Sequence, residues 1–148
     1  MADIDYALNA ATNIKGAFAV ALVDYDSGMT LGSRGGSAEF DLDVAAPGNS
    51  EVVRAKFDVM QKLGLRETIE DILITLDTQY HIIRPIYSNG DDKLFFYLVL
   101  NRAQANLAMA RRDLKLICQR FYIDDPSANA GAIAGGDQGY FPQQAGRR

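Results

Sequence analysis

The sequence is poor in the residues on which most enzyme sites and nucleic-acid surfaces depend. Among 148 residues there are one cysteine, one histidine and no tryptophan, and the net charge is -4. A single cysteine excludes an internal disulfide and suits a reducing compartment. The lone His81 has no second histidine or nucleophile motif near it, so we interpret it as a surface or packing residue. The acidic charge balance lacks the clustered Lys and Arg that nucleic acid requires.

Long apolar runs are also missing. No run approaches the roughly 18 residues that a membrane-spanning helix needs. The segment from Met1 to Tyr6 carries two Asp and no basic residue, which is unlike the start of a signal peptide. We therefore expect a cytoplasmic protein with no membrane span.

What the sequence does contain is enough apolar material for one core. Hydrophobic residues make up 48% of the chain, which fits a single domain of this length. Helical and strand periodicity stops after Phe121, and the rest is rich in Ala, Gly and Gln, a composition that cannot offset the entropy of ordering. We divide the chain into a domain, 1–122, and a disordered tail, 123–148. Within the tail, Tyr140-Phe141-Pro142 is either an incidental aromatic pair or a short docking motif.

The clearest pattern runs from Lys93 to Phe121. Leu94 to Leu100 is an apolar and aromatic run of the length of a strand buried on both faces, so it predicts a central strand. After Asn101 the period changes to steps of three and four, which predicts an amphipathic helix from Ala103. A strand that passes through a short turn into a helix indicates a sheet with a helical layer.

The first part of the chain predicts a helix followed by a hairpin. Asp3 or Asp5 caps the helix, and Gly16 ends it. The run from Phe18 to Val23 is apolar on both faces and predicts a covered strand. Asp26-Ser27-Gly28 then forms the hairpin turn.

A second helix is predicted after Pro47-Gly48-Asn49-Ser50, with Asn49 or Ser50 as its cap. Its apolar residues form two stripes, whereas a helix that only packs on its own sheet needs one. The wide apolar face therefore predicts a further partner surface, although a deep core helix would look similar. The two stripes are Val52, Ala55, Val59 and Leu63, beside Val53, Phe57, Met60 and Gly64.

Three strands are predicted between the second and last helices. Thr68 to Thr78 alternates in part, and Tyr80 to Tyr87 returns as a strand. Asn89-Gly90-Asp91-Asp92 is a strong hairpin turn into the central strand. The element order is therefore αββαβββα.

Several strings in this order resemble bacterial Roadblock (dynein light-chain Roadblock) domains, including those of the Mgl-B type. They are D-I-L-I-T, H-I-I-R-P-I, L-F-F-Y-L-V-L-N-R and A-N-L-A-M-A-R, and the match to the element order extends over Asp3 to Phe121. The resemblance implies an α+β fold of the Roadblock/profilin-like kind. Its five-stranded antiparallel sheet would carry the second helix on one face and the first and last helices on the other.

The resemblance also implies a function. Family members pair through the second helix and third strand, act as non-catalytic platforms, and in bacteria commonly bind and regulate or localise small Ras-like GTPases. By this resemblance we expect a homodimer and a GTPase partner in a signalling role, and no cofactor, catalytic residue or metal ligand. Arg34, Arg84 and Arg102 match an arginine finger in residue type only. The implied dimer interface is Val52, Val53, Lys56, Phe57, Met60, Ile72, Leu73 and Thr75.

Two other classes remain open. A GAF- or PAS-like sensing module has a similar sheet, and the small residues Ala19 and Ala21 would make room for its ligand pocket or let a helix pack closely. An enzyme is the weakest choice, because the paired acids, such as Asp24 with Asp26, occur at turns where Asp is favoured for local hydrogen bonding.

Overall fold

The computed structural model describes residues 3–87 and 93–121, and the predicted turn at Asn89 to Asp92 and the tail from Tyr122 lie outside them. The described residues form three helices and five strands in the predicted order αββαβββα. In this part of the chain no helix is both long enough and apolar enough to cross a membrane. The elements are α1 (Ile4–Thr12), β1 (Ala17–Asp24), β2 (Thr30–Gly35), α2 (Leu42–Lys62), β3 (Ile72–Thr75), β4 (Gln79–Ile86), β5 (Leu94–Asn101) and α3 (Leu107–Arg120).

The five strands form one antiparallel sheet in the order β2-β1-β5-β4-β3. β5 is therefore the middle strand, and all of its residues except Asn101 are buried. This confirms the predicted central strand. β2 and β3 are left as the two edges of the sheet.

The helices cover both faces of the sheet, as the resemblance implied. On one face α1 and α3 bury Leu8 and Leu114 against Leu98 of β5. On the other face α2 buries Val53 against Ala21 and Tyr97. Alternate residues of the central strands supply the two cores, because successive side chains of a strand point to opposite faces.

α1 begins as its sequence predicts, but it ends at Thr12 with Asn13 as its C-cap, earlier than the predicted stop at Gly16. Asp3, the first of the two candidate caps, accepts a hydrogen bond from the backbone N–H of Tyr6 at 2.8 Å. Gly16 follows the helix with φ of 87°, a conformation that favours glycine. A Cβ at this position would lie 2.9 Å from Ala105, so the close approach of the β5–α3 connection also requires glycine.

The predicted start of the second helix, at Asn49 or Ser50, is wrong. α2 begins at Leu42 with Asp41 as its cap and runs through Pro47. Leu42 and Ala46 are buried against the sheet, and burial of this first turn and a half outweighs the local break signal of Pro47-Gly48. Pro47 is the sixth residue of α2 and removes the backbone hydrogen bond to the Asp43 carbonyl, a cost that this burial offsets.

Candidate protein interaction surface

The outer side of α2 carries a row of apolar and small residues along nearly its whole length. Val44 and Leu63 at the two ends of the row are 71% and 67% exposed, and Val59 between them is 44% exposed. A surface helix normally turns polar residues to solvent, so this row indicates a face that a partner covers. The row, which we call the outer row, is Val44, Gly48, Val52, Ala55, Val59 and Leu63.

The inner stripe of α2 belongs to the core of the same chain. Val53 and Met60 are buried, and Phe57 is half-buried with its ring stacked on Tyr25 at 5.8 Å between centroids. Burial within the monomer accounts for all three side chains. Their contact with a partner stays a prediction, whereas the predicted interface residues Val52 and Lys56 are exposed in the monomer.

β3 supplies a free sheet edge beside α2. Within the described residues it pairs with β4 alone, from Ile72 opposite Ile83 to Thr75 opposite Tyr80. No described strand pairs with its other edge, and such an edge is a template for a strand from another chain. Ile72 packs towards α2 and Leu73 towards the opposite core, while Thr75 is exposed.

An open groove of about 630 Å³ separates α2 from β3. The structure brings three of the eight predicted interface residues together in its wall, namely Val52, Lys56 and Ile72. The other predicted residues lie outside this wall. The full lining is Val52, Ala55, Lys56, Val59, Ile69, Asp71 and Ile72.

Ile69, in the loop before β3, is held in the groove wall by Tyr87. The Tyr87 hydroxyl accepts from the backbone N–H of Ile69 at 2.9 Å and donates to its carbonyl oxygen at 3.2 Å. Burial raises the pKa of Tyr87 to about 12, so the hydroxyl keeps the proton that it donates. Sequence reasoning missed this contact because the two residues come together only when β4 pairs with β3.

Of the two charged side chains in the groove wall, Asp71 forms an ion pair and Lys56 does not within the described residues. Both carboxylate oxygens of Asp71 accept from Arg111 of α3, at 2.8 and 3.0 Å, and this contact raises the pKa of Arg111. Lys56, in contrast, makes no ion pair within residues 3–87 and 93–121. The groove thus has an apolar wall, and Lys56 in it has no ion-pair partner among the described residues.

The three arginines that matched an arginine finger in type all have contacts within the monomer. Arg34 of β2 bonds Asp5 of α1 at 2.7 Å. Arg102 donates to the backbone carbonyl of Leu76 at 2.7 Å. The side chain of Arg84 is only 13% exposed. Each of them therefore stabilises the fold of this chain.

His81 is a packing residue, as its lone occurrence predicted. Its Nε2 lies 2.8 Å from Gln79 Oε1, and its Nδ1 lies 3.0 Å from the Tyr97 hydroxyl. Burial lowers the pKa of His81, which favours the neutral ring. Both ring nitrogens of His81 therefore have a hydrogen-bond partner within the fold.

The residues behind the two alternative classes also lie in structural positions. Ala19 and Ala21 are buried in the core beneath α2, so their small size lets the helix pack closely. Asp24 accepts from the backbone N–H of Asp26 at 2.8 Å and so stabilises the turn. In the described part of the chain, no three His, Cys, Asp or Glu side chains form a group that could hold a metal ion.

The fold and this surface define a class: an antiparallel five-stranded α+β domain with an open apolar helix face beside a free edge strand. No protein-family model and no curated protein sequence matches the chain. Solved structures do match it. They include MglB of Myxococcus xanthus (17% identity, covering 76% of this chain and 77% of that chain, TM-score 0.62).

Two more solved structures match. A Roadblock/LC7 domain from Streptomyces avermitilis is 13% identical, with 80% and 93% of the two chains covered and a TM-score of 0.65. The gliding protein MglB of Thermus thermophilus is 16% identical, with 78% and 87% covered and a TM-score of 0.55. The chain therefore has the Roadblock/MglB fold, which confirms the fold that the sequence resemblance implied.

Proposed function

We propose that this protein is a non-catalytic, dimeric scaffold of the Roadblock type. Two copies pair through α2 and β3 about a twofold axis, and their sheets join edge to edge. The observation that carries the proposal is the apolar groove between the outer row of α2 and the unpaired edge of β3. Both features lie on one side of the molecule, so one partner covers both.

A second copy of the chain fits this surface better than an unrelated partner. Across a twofold axis the β3 edge meets itself in antiparallel orientation, which is the pairing of the rest of the sheet. The outer row likewise meets itself, with Gly48 and Ala55 allowing close helix approach. An MglB with a tetrameric arrangement shares the fold, at a TM-score of 0.56, which supports self-association.

Sedimentation equilibrium of a Val59→Asp variant tests the dimer. Val59 is 44% exposed in the monomer, so the new carboxylate stays solvated there, whereas the dimer buries it without a partner. A penalty of about 3 kcal/mol or more weakens the dimer by roughly a hundredfold or more. Phe57→Asp is a poorer choice, because the ring of Phe57 also stacks on Tyr25 within the chain.

Met109→Asp is the matched control. Met109 is 51% exposed and lies on α3, across the sheet from α2, so this variant should dimerise as the wild type does. A wild type that stays monomeric at all concentrations would contradict the dimer. A Val59→Asp variant that dimerises normally would place the interface elsewhere.

For the partner, we propose a small Ras-like GTPase that the dimer regulates or localises in the cytoplasm. Support comes from the Roadblock/MglB fold and the strings that resemble bacterial Roadblock domains. The buried free thiol of Cys118 supports a reducing location. In this role the protein positions the switch loops of its partner and performs no chemistry of its own.

A pull-down tests the partner. GTPases from the same genome are loaded with GDP or a GTP analogue and passed over the immobilised protein. We expect retention in at least one nucleotide state and loss of retention with Val59→Asp. Retention in neither state would contradict the GTPase proposal. The dimer proposal is tested separately by sedimentation equilibrium.

A further inference from the structure

A second groove lies between α1 and α3, on the face of the sheet opposite α2. Its volume is about 300 Å³. Tyr6 of α1 and Leu116 of α3 in its wall are 51% and 42% exposed, so the groove presents apolar side chains to solvent. The lining is Tyr6, Ala10, Asn13, Ile14, Asp113, Leu116, Ile117 and Arg120.

The rim of this groove carries charges of both signs with little internal pairing. Arg120 makes no ion pair within the described residues, and Asp113 has only the adjacent Arg112, at 3.5 Å. An apolar floor with a polar rim is typical of a surface that binds a short peptide through an aromatic anchor.

The last described residues of the chain lie beside this groove. α3 ends at Arg120, in the groove wall, and Phe121 directly after it is fully buried. The sequence beyond contains one adjacent pair of aromatic residues, Tyr140-Phe141, followed by Pro142 and preceded by Asp137. An aromatic pair with a nearby carboxylate complements an apolar groove that has Arg120 at its rim.

We propose that Tyr140-Phe141-Pro142 docks in the α1–α3 groove of its own chain. The motif lies about 20 residues beyond Phe121, and a flexible segment of that length has an end-to-end distance of about 25 Å. A helix of the length of α3 spans about 20 Å, so the tether reaches the whole groove without extension. Tethering of this kind gives effective concentrations near the millimolar range, at which a motif with a dissociation constant of about 0.1 mM is bound about ten times more often than it is free.

This docking is separate from the proposed function, because the dimer surface and the α1–α3 groove lie on opposite faces of the sheet. The tail therefore docks whether or not the α2 and β3 surface is occupied. Failure of either proposal leaves the other intact.

A spin label at residue 143 locates the motif. Gln143→Cys provides the labelling site, since native Cys118 is buried and its pKa is raised to about 12 by burial. In full-length ¹⁵N-labelled protein we expect strong broadening of amide signals along the groove, as at Asn13 and Leu116, and much weaker broadening on α2, which lies across the sheet. Phe141→Ser, which leaves the described residues unchanged, should abolish the broadening.

Two outcomes of this experiment would overturn the proposal. One is broadening that is absent from the groove or stronger on α2. The other is broadening of a ¹⁵N-labelled chain by a spin label on a different, unlabelled chain in a mixed sample, which would place the motif on a second copy.

Chymotrypsin provides a second readout, because it cleaves after Tyr140 and Phe141. Docking shields both bonds, so Leu116→Asp in the groove should speed cleavage there by about tenfold, the ratio expected when a tethered motif is about ten times more often bound than free. Met109→Asp, on the same helix but outside the groove, is the matched control and should leave the rate unchanged. Equal rates in the wild type and Leu116→Asp would overturn the docking.

Discussion

At the residue scale, His81 gives the protein a defined response to pH. Burial lowers the pKa of His81 from its ordinary value of 6.5, so the native state binds the proton less readily than the unfolded state. Well above pH 6.5 the ring is neutral in both states. As the pH falls below 6.5 the unfolded state takes the proton first, so the free energy of unfolding decreases until native His81 also titrates.

Because His81 is the one histidine in the sequence, its ring signals can be followed by NMR without assignment. We expect a titration midpoint below 6.5, and we expect His81→Gln to lose the part of the stability decline that begins near pH 6.5. A midpoint at or above the ordinary value would contradict the structural environment of the ring.

Substitution of two glycines with similar φ angles distinguishes the cost of backbone strain from the cost of a steric clash. Gly35 has φ of 79° and an added Cβ would lie 2.3 Å from the Phe18 carbonyl oxygen, while Gly64 has φ of 72° and open space around it. Gly64→Ala should destabilise by about 1 kcal/mol, the cost of the left-handed conformation. Gly35→Ala should destabilise by about 3 kcal/mol, since strand β2 must also shift.

Urea denaturation of both variants at one protein concentration measures the difference. Equal losses of unfolding free energy in the two variants would mean that the left-handed backbone angle alone causes the destabilisation. They would also mean that β2 moves away from β1 at little cost.

Single residues were predictable from sequence where the signal is local. The sequence offered Asp3 or Asp5 as the cap of α1 and a surface or packing role for His81, because these signals depend on neighbours in the chain or on composition. The pairing of Asp71 with Arg111 and of Ile69 with Tyr87 was not predictable, because these contacts join positions that only the order of strands in the sheet brings together.

At the element scale, burial of the first turns of α2 against the sheet outweighs a helix-breaking signal in the local sequence. Pro47-Gly48 is a strong break in the sequence, yet the helix extends through it because Leu42 and Ala46 fill space above the sheet. Local propensity is a weak prior when a helix face is buried. The two apolar stripes of α2 could be predicted from the sequence. Which stripe faces the sheet could not, because that depends on how the helix is rotated about its axis against the sheet.

Pro47→Ala tests this continuous helix. The substitution restores a backbone N–H that can bond the Asp43 carbonyl and relieves the ring clash in the helix. We expect the free energy of unfolding to rise by about 1 to 2 kcal/mol, less than the full cost of an interior proline because the missing bond lies near the helix start. The helical signal in circular dichroism should not fall.

The contrasting outcome is informative as well. If Pro47 and Gly48 formed a break before a helix that starts at Ser50, Pro47→Ala would free the unfolded chain without restoring a bond. The variant would then be no more stable than the wild type, or less stable.

At the scale of the whole molecule, the sheet separates two surfaces. α2 and β3 present the proposed dimer surface, and α1 with α3 presents the groove for the tail on the other face. Hydrophobic patterning predicted the number and order of elements, and the family resemblance supplied the distribution of helices on the two faces. Patterning does not specify strand order, because β1 and β5, which pair, are far apart in the sequence.

The proposed dimer makes thermal stability depend on protein concentration. When two folded chains dissociate as they unfold, each tenfold rise in concentration adds about 1.4 kcal/mol per dimer. For a domain of this size that is an increase in Tm of about 2 to 4 °C.

We expect this dependence in the wild type and in a chain that lacks residues 124–148, because the tail groove faces away from the dimer surface. Val59→Asp should unfold at a Tm independent of concentration. If the shortened chain lost the dependence while the full chain kept it, the tail would be part of the dimer interface, and the two surfaces would not be separate.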